Sequence, residues 1–196
     1  MTPSIQRAIE NLKKNRFEVH YFDTARAAAD GIMDKLRAAR SISRGGSATV
    51  DALGLIERMQ KEGLPFRDYK SREDRMASLE AQYYLTGSNA ITEDGKLVNI
   101  DGAGNRVAAM SFGPEKVFVL AGINKIVPDE AAGFERIRTV AAPMNAQRLG
   151  RKTPCVASGM CSDCDSPERI CRKNMVVTRP EKGRFEIFLI GENLGF

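Results

Sequence analysis

Apolar residues recur along the chain with two alternating spacings. At 5–12 they fall three and four positions apart, as on one face of a helix, whereas 17–22 is aromatic and β-branched, which is typical of a strand. Thr2 and Thr24 are suited to cap the first two helices. The pattern predicts helices at 3–15, 25–39, 48–61, 71–81 and 128–149, and strands at 17–22, 40–43, 66–69, 82–92, 96–100, 117–120, 175–178 and 185–190.

The order of these elements predicts an α/β fold with a mostly parallel sheet flanked by helices. The run 117–120 is continuously apolar, as in a strand buried on both faces. The segments 82–92 and 96–100 flank a turn and predict one antiparallel hairpin. No stretch has the composition of a linker, so we expect a single domain over 1–196 that contains a cysteine-rich, metal-binding segment at 151–175.

Composition narrows the class of protein. The 196 residues are 42% apolar and 28% charged, which is typical of a globular chain. The longest apolar run, 117–123, is far short of the ~20 residues needed to cross a bilayer. The N-terminus lacks the apolar stretch of a secretory signal. We therefore expect a cytoplasmic protein that has no membrane partner.

Positive charge is concentrated in one part of the chain. The segment 148–184 holds nine basic and four acidic side chains, an excess equal to the net charge of +5 of the whole chain. A basic chain could bind nucleic acid, but no aromatic residue lies between Pro143 and Glu181 to stack on bases. The charge is better suited to a metal site bound by thiolates, whose negative charge it would offset; the alternative is a solvated face of the protein.

A paired glycine follows the predicted strand 40–43. Gly45 and Gly46 let a ligand approach the backbone closely, and Ser47 and Thr49 add hydroxyl groups at the start of the next helix. The alternative is an ordinary turn in which Ser47 only caps the helix. We predict that this turn binds an anion.

Two further segments carry candidate ligand-binding residues. Within 87–106, Asn89, Asn105 and Arg106 can donate hydrogen bonds to a carboxylate or phosphate. Asn124 and Lys125 follow the buried strand, and ligands of α/β sheets lie beyond the carboxyl ends of strands. Since a parallel sheet brings its strand ends to one edge, we expect these residues to surround one pocket together with the glycine turn.

Acid–base chemistry depends on few residues. His20 is the single histidine and lies near the N-terminus, so a Ser–His–Asp mechanism has little support. Glu93 and Asp101 are the candidate catalytic carboxylates, and we expect Glu93 at the rim of the pocket. The pairs Asp94-Gly95 and Asp101-Gly102 also read as ordinary turns. Whether the protein is an enzyme stays open.

Three stretches of the chain resemble the LUD-domain family of lactate-utilisation proteins. They read GGSATVDAL, then TGSNAITEDGKLVNIDGAGNRVAAMSFGPEKVFVLAGINKIV, and finally IFLIGENLGF. The resemblance implies the fold of ribose-5-phosphate isomerase and the CoA transferases, with Gly45 and Gly46 at the ligand site. It also matches Glu93 to the acidic position of the family's A-E-x-G stretch. The family is associated with L-lactate oxidation alongside iron–sulfur subunits.

Four cysteines, at positions 155, 161, 164 and 171, distinguish this chain from the typical lactate-utilisation subunit. Clustered thiols in a cytoplasmic protein indicate a metal more than disulfides. Their spacing approaches the start of a plant-type ferredoxin motif, whereas structural zinc sites use two short hooks. We expect Cys155, Cys161, Cys164 and Cys171 to bind an iron–sulfur cluster (4Fe-4S). Zinc is the alternative, and free thiols or disulfides also stay open.

Two functional hypotheses follow. In the first, the protein binds a small anionic metabolite (a carboxylate, a sugar phosphate or a CoA ester) in lactate or related organic-acid metabolism, and carries the four-cysteine site. In the second, it is a non-catalytic redox or structural metalloprotein subunit of a larger complex. A redox protein partner and a homodimer are both compatible with this sequence.

Overall fold

The structure is a computed structural model that describes residues 1–196. Its helices are α1 Pro3–Lys14, α2 Ala25–Leu36, α3 Ala48–Ala52, α4 Leu55–Lys61, α5 Arg72–Ala77, α6 Asn105–Ser111, α7 Glu130–Arg136, α8 Ala142–Arg148 and α9 Pro154–Ser158. Its strands are β1 Glu18–Phe22, β2 Ile42–Arg44, β3 Phe66–Arg67, β4 Tyr83–Gly87, β5 Ala90–Thr92, β6 Leu97–Asp101, β7 Lys116–Gly122, β8 Ile126–Val127, β9 Lys173–Val177 and β10 Phe185–Ile190. No helix is long and apolar enough to cross a membrane.

Six parallel strands form the main sheet in the order β1-β10-β7-β4-β2-β3. The α/β prediction is confirmed. Strand β7 lies inside the sheet, where β10 and β4 pair with its two edges. From Val117 onward its residues are buried, as their continuous apolar character requires. Side chains of alternate β7 residues enter the two large apolar clusters, Phe118 and Leu120 in one and Val117 and Val119 in the other.

A second sheet of four strands has the order β8-β5-β6-β9. The predicted hairpin is present as the antiparallel pair β5–β6, but β6 also pairs with β9 in antiparallel orientation. The single strand predicted at 82–92 is wrong, because β4 and β5 belong to different sheets. At the break, the Ser88 hydroxyl donates to the Ala90 carbonyl, and Asn89 Oδ1 accepts from the Ile100 amide. These bonds turn the backbone between the two sheets.

Two predicted helices are interrupted. Gly54, with φ of +61°, separates α3 from α4. The segment predicted at 128–149 contains α7 and α8, joined by the π-helical segment Ile137–Ala141 immediately before Pro143. A proline ring removes one backbone donor, which is consistent with an altered hydrogen-bond register there. The short helices α6 and α9 were not predicted, and α6 begins directly after the glycine-rich turn 102–104.

Candidate functional site

A cavity of about 280 Å³ opens beyond the carboxyl ends of β2, β4 and β6. The turn before α3, the start of α6 and the end of α8 form its walls. Its lining includes the predicted residues Gly46, Ser47, Asn89, Asp101, Asn105, Arg106 and Lys125. The structure therefore brings three distant parts of the sequence to one place, where the ends of parallel strands of the main sheet meet the end of β6 from the second sheet.

The glycine turn supplies the wall nearest to β2. Gly46 and Ser47 line the cavity, and Ser47 also caps α3 because its hydroxyl accepts from the Val50 amide at 3.3 Å. Gly45 lies just behind, and a β-carbon there would come within 2.6 Å of the Arg106 side chain and closer still to the Tyr84 hydroxyl. The missing side chain at position 45 lets Arg106 pack against the turn.

Cations outnumber acids around this cavity. Four arginines and a lysine line it, with one carboxylate: Arg75, Arg106, Arg148, Arg151, Lys125 and Asp101. The carboxylate is already used, because Asp101 Oδ2 accepts from the Arg106 and Val107 amides at the start of α6. Arg148 pairs loosely with Asp51 at 3.7 Å. The cavity thus has a surplus of positive charge that favours an anionic ligand.

Lys125 is the most unusual of these cations. It is 3% exposed, and its Nζ donates to Thr49 Oγ1 at 2.8 Å without any carboxylate partner. Burial, together with the charges of Arg136 and Arg106, lowers the pKa of Lys125 to about 7. Thr49 itself donates to the Leu194 carbonyl at 3.3 Å and so fixes the position of the amine.

Amide side chains have different roles at the two ends of the site. Asn89 lines the cavity; its side-chain oxygen accepts from the Ile100 amide, and its backbone carbonyl accepts from Arg136 at 2.7 Å. Asn124, although predicted to bind ligand, does not line the cavity. Its side chain instead donates to the Gly195 carbonyl and accepts from the Leu194 amide, which anchors the C-terminal residues so that Phe196 forms part of the wall.

The prediction that Glu93 lies at the rim of the pocket is wrong. Its carboxylate accepts from Ser4 and Arg7 of α1, both at 2.6 Å, and it does not line the cavity. Hydrogen bonds from Arg7 and Ser4 lower the pKa of Glu93 below its usual value. Since β5 leads away from the cavity toward α1, Glu93 joins α1 to the hairpin turn. Asp101 remains the carboxylate at the site.

Several residues that line the cavity were not predicted from the sequence. They are Tyr69, Arg75, Asn145, Arg148, Arg151, Ile170 and Phe196. Arg148 and Arg151 belong to the basic segment 148–184, so the local charge excess was the available signal. Nothing in their spacing indicates that the end of α8 reaches the glycine turn.

The four cysteines lie around a second, much smaller cavity of about 10 Å³. It is lined by Cys155, Cys161, Cys164 and Cys171, together with Ala142, Thr153, Ser162, Arg169 and Ile170. All four are free thiols and partly buried. Burial raises the pKa of the Cys171 thiol, and the nearby Cys161 and Cys164 add to the rise against the attraction of Arg169. The four cysteine side chains therefore border one common space.

Backbone contacts shape the cysteine segment. The Asp163 amide donates to Cys161 Sγ at 3.4 Å, and Asp163 adopts a left-handed φ of +50°. Arg169 donates to the carbonyls of Cys164 at 2.7 Å and Cys171 at 2.9 Å. Amide donation to a cysteine sulfur is a feature that stabilises thiolates in iron–sulfur sites. These contacts fit a metal centre held by the four sulfurs.

The spacing of the sulfurs bears on which metal fits. The one group of three or more candidate ligand atoms within 4.8 Å of one another is Glu18, His20 and Glu186, and it includes no cysteine. Four thiolates on one zinc at Zn–S of about 2.3 Å lie only about 3.8 Å apart. A cubane holds its thiolates farther apart, because each binds a different iron atom. No three of the four cysteine sulfurs lie within 4.8 Å of one another, so they do not form the close set that one zinc ion requires.

Comparison with known proteins identifies the family. The LUD domain matches residues 5–190, nearly the whole chain. This protein belongs to the LUD-domain family. A DUF162 family protein from Deinococcus radiodurans has a similar structure, with a TM-score of 0.62 and 13% identity over 95% of this chain and 96% of its own. At this identity the likeness establishes the fold alone. No curated protein sequence matches the chain.

More distant structural matches cover part of their chains. The translation initiation factor eIF-2B of Pyrococcus horikoshii OT3 is 19% identical, with a TM-score of 0.36 over 66% of this chain and 49% of its own. The eIF2B delta chain of Chaetomium thermophilum is 16% identical, with a TM-score of 0.35 over 65% and 49%. This LUD-domain chain thus aligns with about half of those proteins, too loosely to say anything about its own role.

Proposed function

We propose that this LUD-domain protein binds a small anionic metabolite in the cavity beyond β2 and β4, in lactate or related organic-acid metabolism. The observation that carries the proposal is the surplus of cations around the cavity, where the single carboxylate, Asp101, is occupied by the amides of α6. Burying uncompensated charge costs free energy, and an anionic ligand would offset that cost. The LUD family is itself associated with lactate utilisation.

The size of the cavity limits the ligand. About 280 Å³ is at the lower end of the range for small-molecule sites, which suits a short carboxylate or a sugar phosphate. A CoA ester would fit only with its acyl end inside. Asn89 and Asn105 line the same space and supply uncharged donors and acceptors for hydroxyl or carbonyl groups. Within the Asp101 carboxylate, Oδ1 makes no hydrogen bond to the protein, so this oxygen is the one that would exchange a proton with the ligand.

Arg151 offers a clean test of the binding site. It lines the cavity, is exposed, and its side chain makes no hydrogen bond or ion pair, so its removal leaves the fold intact. Calorimetry with L-lactate, pyruvate, inorganic phosphate and dihydroxyacetone phosphate should detect binding of at least one anion. Arg151→Met should weaken it about tenfold, or ~1.4 kcal/mol.

Arg26→Met is the matched control, because Arg26 is an exposed arginine of α2 outside the cavity. It should bind the anion as the parent protein does. Equal loss in both variants would mean that only overall charge matters. No binding of any of the four anions would refute the proposal.

We also propose that the four cysteines bind an iron–sulfur cluster. The support is their common cavity and the amide donated to Cys161. When bound, the cluster would supply one-electron chemistry. Ile170 lines both the cysteine cavity and the anion cavity, so the two sites share a wall. This contact favours the second candidate function, a redox subunit that exchanges electrons with a partner protein.

Oxygen-free purification tests the metal proposal. The protein should be brown, with iron and sulfide present and broad visible absorption. Cys161→Ser and Cys164→Ser should each lose iron and stability, since a bound metal contributes folding free energy. Asp165→Asn, at an exposed position of the same segment outside the cysteine cavity, is the control and should keep the colour. A colourless protein with one equivalent of zinc would establish the alternative metal, and a metal-free protein would end the claim.

A further inference from the structure

The buried amine of Lys125 is not needed to hold the fold together by charge. A lysine with a structural role in a protein interior normally pairs with a carboxylate, because an unpaired buried charge is costly. Lys125 has no such partner, and its one hydrogen bond is donated to the Thr49 hydroxyl at 2.8 Å. It nevertheless lines the cavity, so the amine is buried yet within reach of a bound ligand.

The surroundings of Lys125 lower the pKa of this amine, so that a large share of it is uncharged near neutral pH. Burial is the main cause of its lowered pKa of about 7, and the guanidinium groups of Arg136 and Arg106 lower it further. Desolvation and neighbouring cations are the two devices that make a lysine amine nucleophilic near neutral pH. Thr49 orients Nζ while it accepts one N–H and leaves the nitrogen lone pair free. The position of Lys125 in the cavity lining and its lowered pKa both favour a nucleophilic amine.

We propose that Lys125 forms an imine with a small ketone or aldehyde that carries an anionic group, either a 2-oxo carboxylate or a carbonyl phosphate. This inference rests on the proposed anion site. The arginines at the mouth of the cavity, Arg148 and Arg151, would hold the anionic group, and the carbonyl carbon would reach Nζ. Two features of the cavity define the substrate class. Its cations would bind the anionic group, and the amine of Lys125 would react with the carbonyl group.

The reaction balances without an oxidant or reductant. The Nζ lone pair attacks the carbonyl carbon, a C–N bond forms, and the carbonyl oxygen takes a proton from the nitrogen to give a carbinolamine. The hydroxyl group then leaves as water with the second amine proton, and a C=N bond remains. The net change is amine plus carbonyl to imine plus water. Asp101 lies in the same cavity as a group able to carry the proton.

Borohydride trapping tests the imine directly. The protein is incubated at pH 7.4 with pyruvate, dihydroxyacetone phosphate or pyridoxal 5′-phosphate, reduced with borohydride, digested and examined by mass spectrometry. At this pH only about one in 1,000 ordinary surface lysines is uncharged. We expect Lys125 to carry about tenfold more adduct than any surface lysine. Pyruvate and dihydroxyacetone phosphate distinguish the two classes of anionic group.

Two variants control the experiment. Lys125→Arg keeps the positive charge but cannot form an imine, and it should abolish the adduct at this position. Lys13→Arg, at an exposed position of α1, should leave the labelling of Lys125 unchanged. Labelling of surface lysines with Lys125 spared, for all three probes, would overturn the imine. That result is distinct from failure of the anion site, because calorimetry reports anion binding whether or not an imine forms.

Discussion

Two buried charges lie at opposite ends of the main sheet, and their environments contrast. Glu186 lies near the amino end of β10, where its carboxylate accepts from Lys35 and Lys116, both at 3.0 Å, and contacts His20 at 3.2 Å. Burial disfavours its charged form, but hydrogen bonds from the two lysines outweigh this and lower its pKa. Lys125, beyond the carboxyl end of β7, has no counter-ion at all.

The presence of counter-ions distinguishes charges that stabilise the fold from charges that are suited to bind a ligand. Both oxygens of Glu186 are satisfied, so the group of Glu18, His20 and Glu186 that could in principle bind a metal already has its charge neutralised by Lys35 and Lys116. At the other end, the cations have no comparable set of acids. A protein tolerates such a cost where function requires it.

The largest effect should follow from Glu186→Gln. Glutamine keeps the shape but removes the charge that Lys35 and Lys116 share, so we expect a loss of about 3 kcal/mol in the free energy of unfolding, at the lower end for breaking a buried ion pair because both lysines reach solvent. Urea denaturation measures it. Glu57→Gln, at an exposed position of α4, is the control and should change little.

The same carboxylate predicts how stability depends on pH. Because the folded pKa of Glu186 is lowered, its contribution is present above the unfolded value of about 4.3 and is lost as pH falls through the folded value. In acid, the free energy of unfolding of the parent protein should therefore no longer exceed that of the Glu186→Gln variant. An advantage that persists below that window would show that the ion cluster is not its source.

Sequence patterns predicted which residues lie at strand ends, but not how the strands are distributed between the two sheets. Gly46, Asn89 and Lys125 follow strands of the main sheet, whose parallel pairing brings them to one edge, whereas Arg106 follows β6 of the second sheet. Glu93 was misplaced because the strand predicted at 82–92 divides between two sheets, a break set by side-chain hydrogen bonds at Ser88 and Asn89. Such non-local bonds have no periodic signature in the sequence.

Gly45→Ala should have the second largest effect. A β-carbon there would overlap the hydroxyl of the buried Tyr84 and lie 2.6 Å from Arg106 Cγ, so we expect a loss of about 2 kcal/mol in the free energy of unfolding, with weaker anion binding as Arg106 is displaced. Gly46→Ala meets only the Tyr69 hydroxyl, at 3.1 Å, and should be milder in stability. Equal effects of the two variants would show that Gly45 has no special packing role.

Lys125→Met should stabilise the protein while it weakens anion binding. Methionine fills similar space without a charge to desolvate, and we expect a gain of ~1 kcal/mol in the free energy of unfolding at pH 7. Between pH about 7 and 10 the unfolded chain binds a proton at this lysine that the folded chain does not, so parent stability rises with pH there. The methionine variant should lack that rise. A less stable variant would mean that the amine has a structural partner after all.

The smallest effect is expected for Lys35→Met, and it tests whether the Glu186 cluster is redundant. The Lys35 side chain is 39% exposed, so its ion pair with Glu186 is screened by water and should contribute only about 0.5 kcal/mol. After its removal Glu186 keeps Lys116 and His20, so both oxygens still have partners.

Lys116→Met removes the other lysine. The double variant should lose more free energy of unfolding than the two single losses added together, because only then does the carboxylate lack a lysine. Simple additivity, measured by urea denaturation at low salt, would mean that the two lysines act independently. In that case the contrast with Lys125 would rest on burial alone and not on a shared counter-charge.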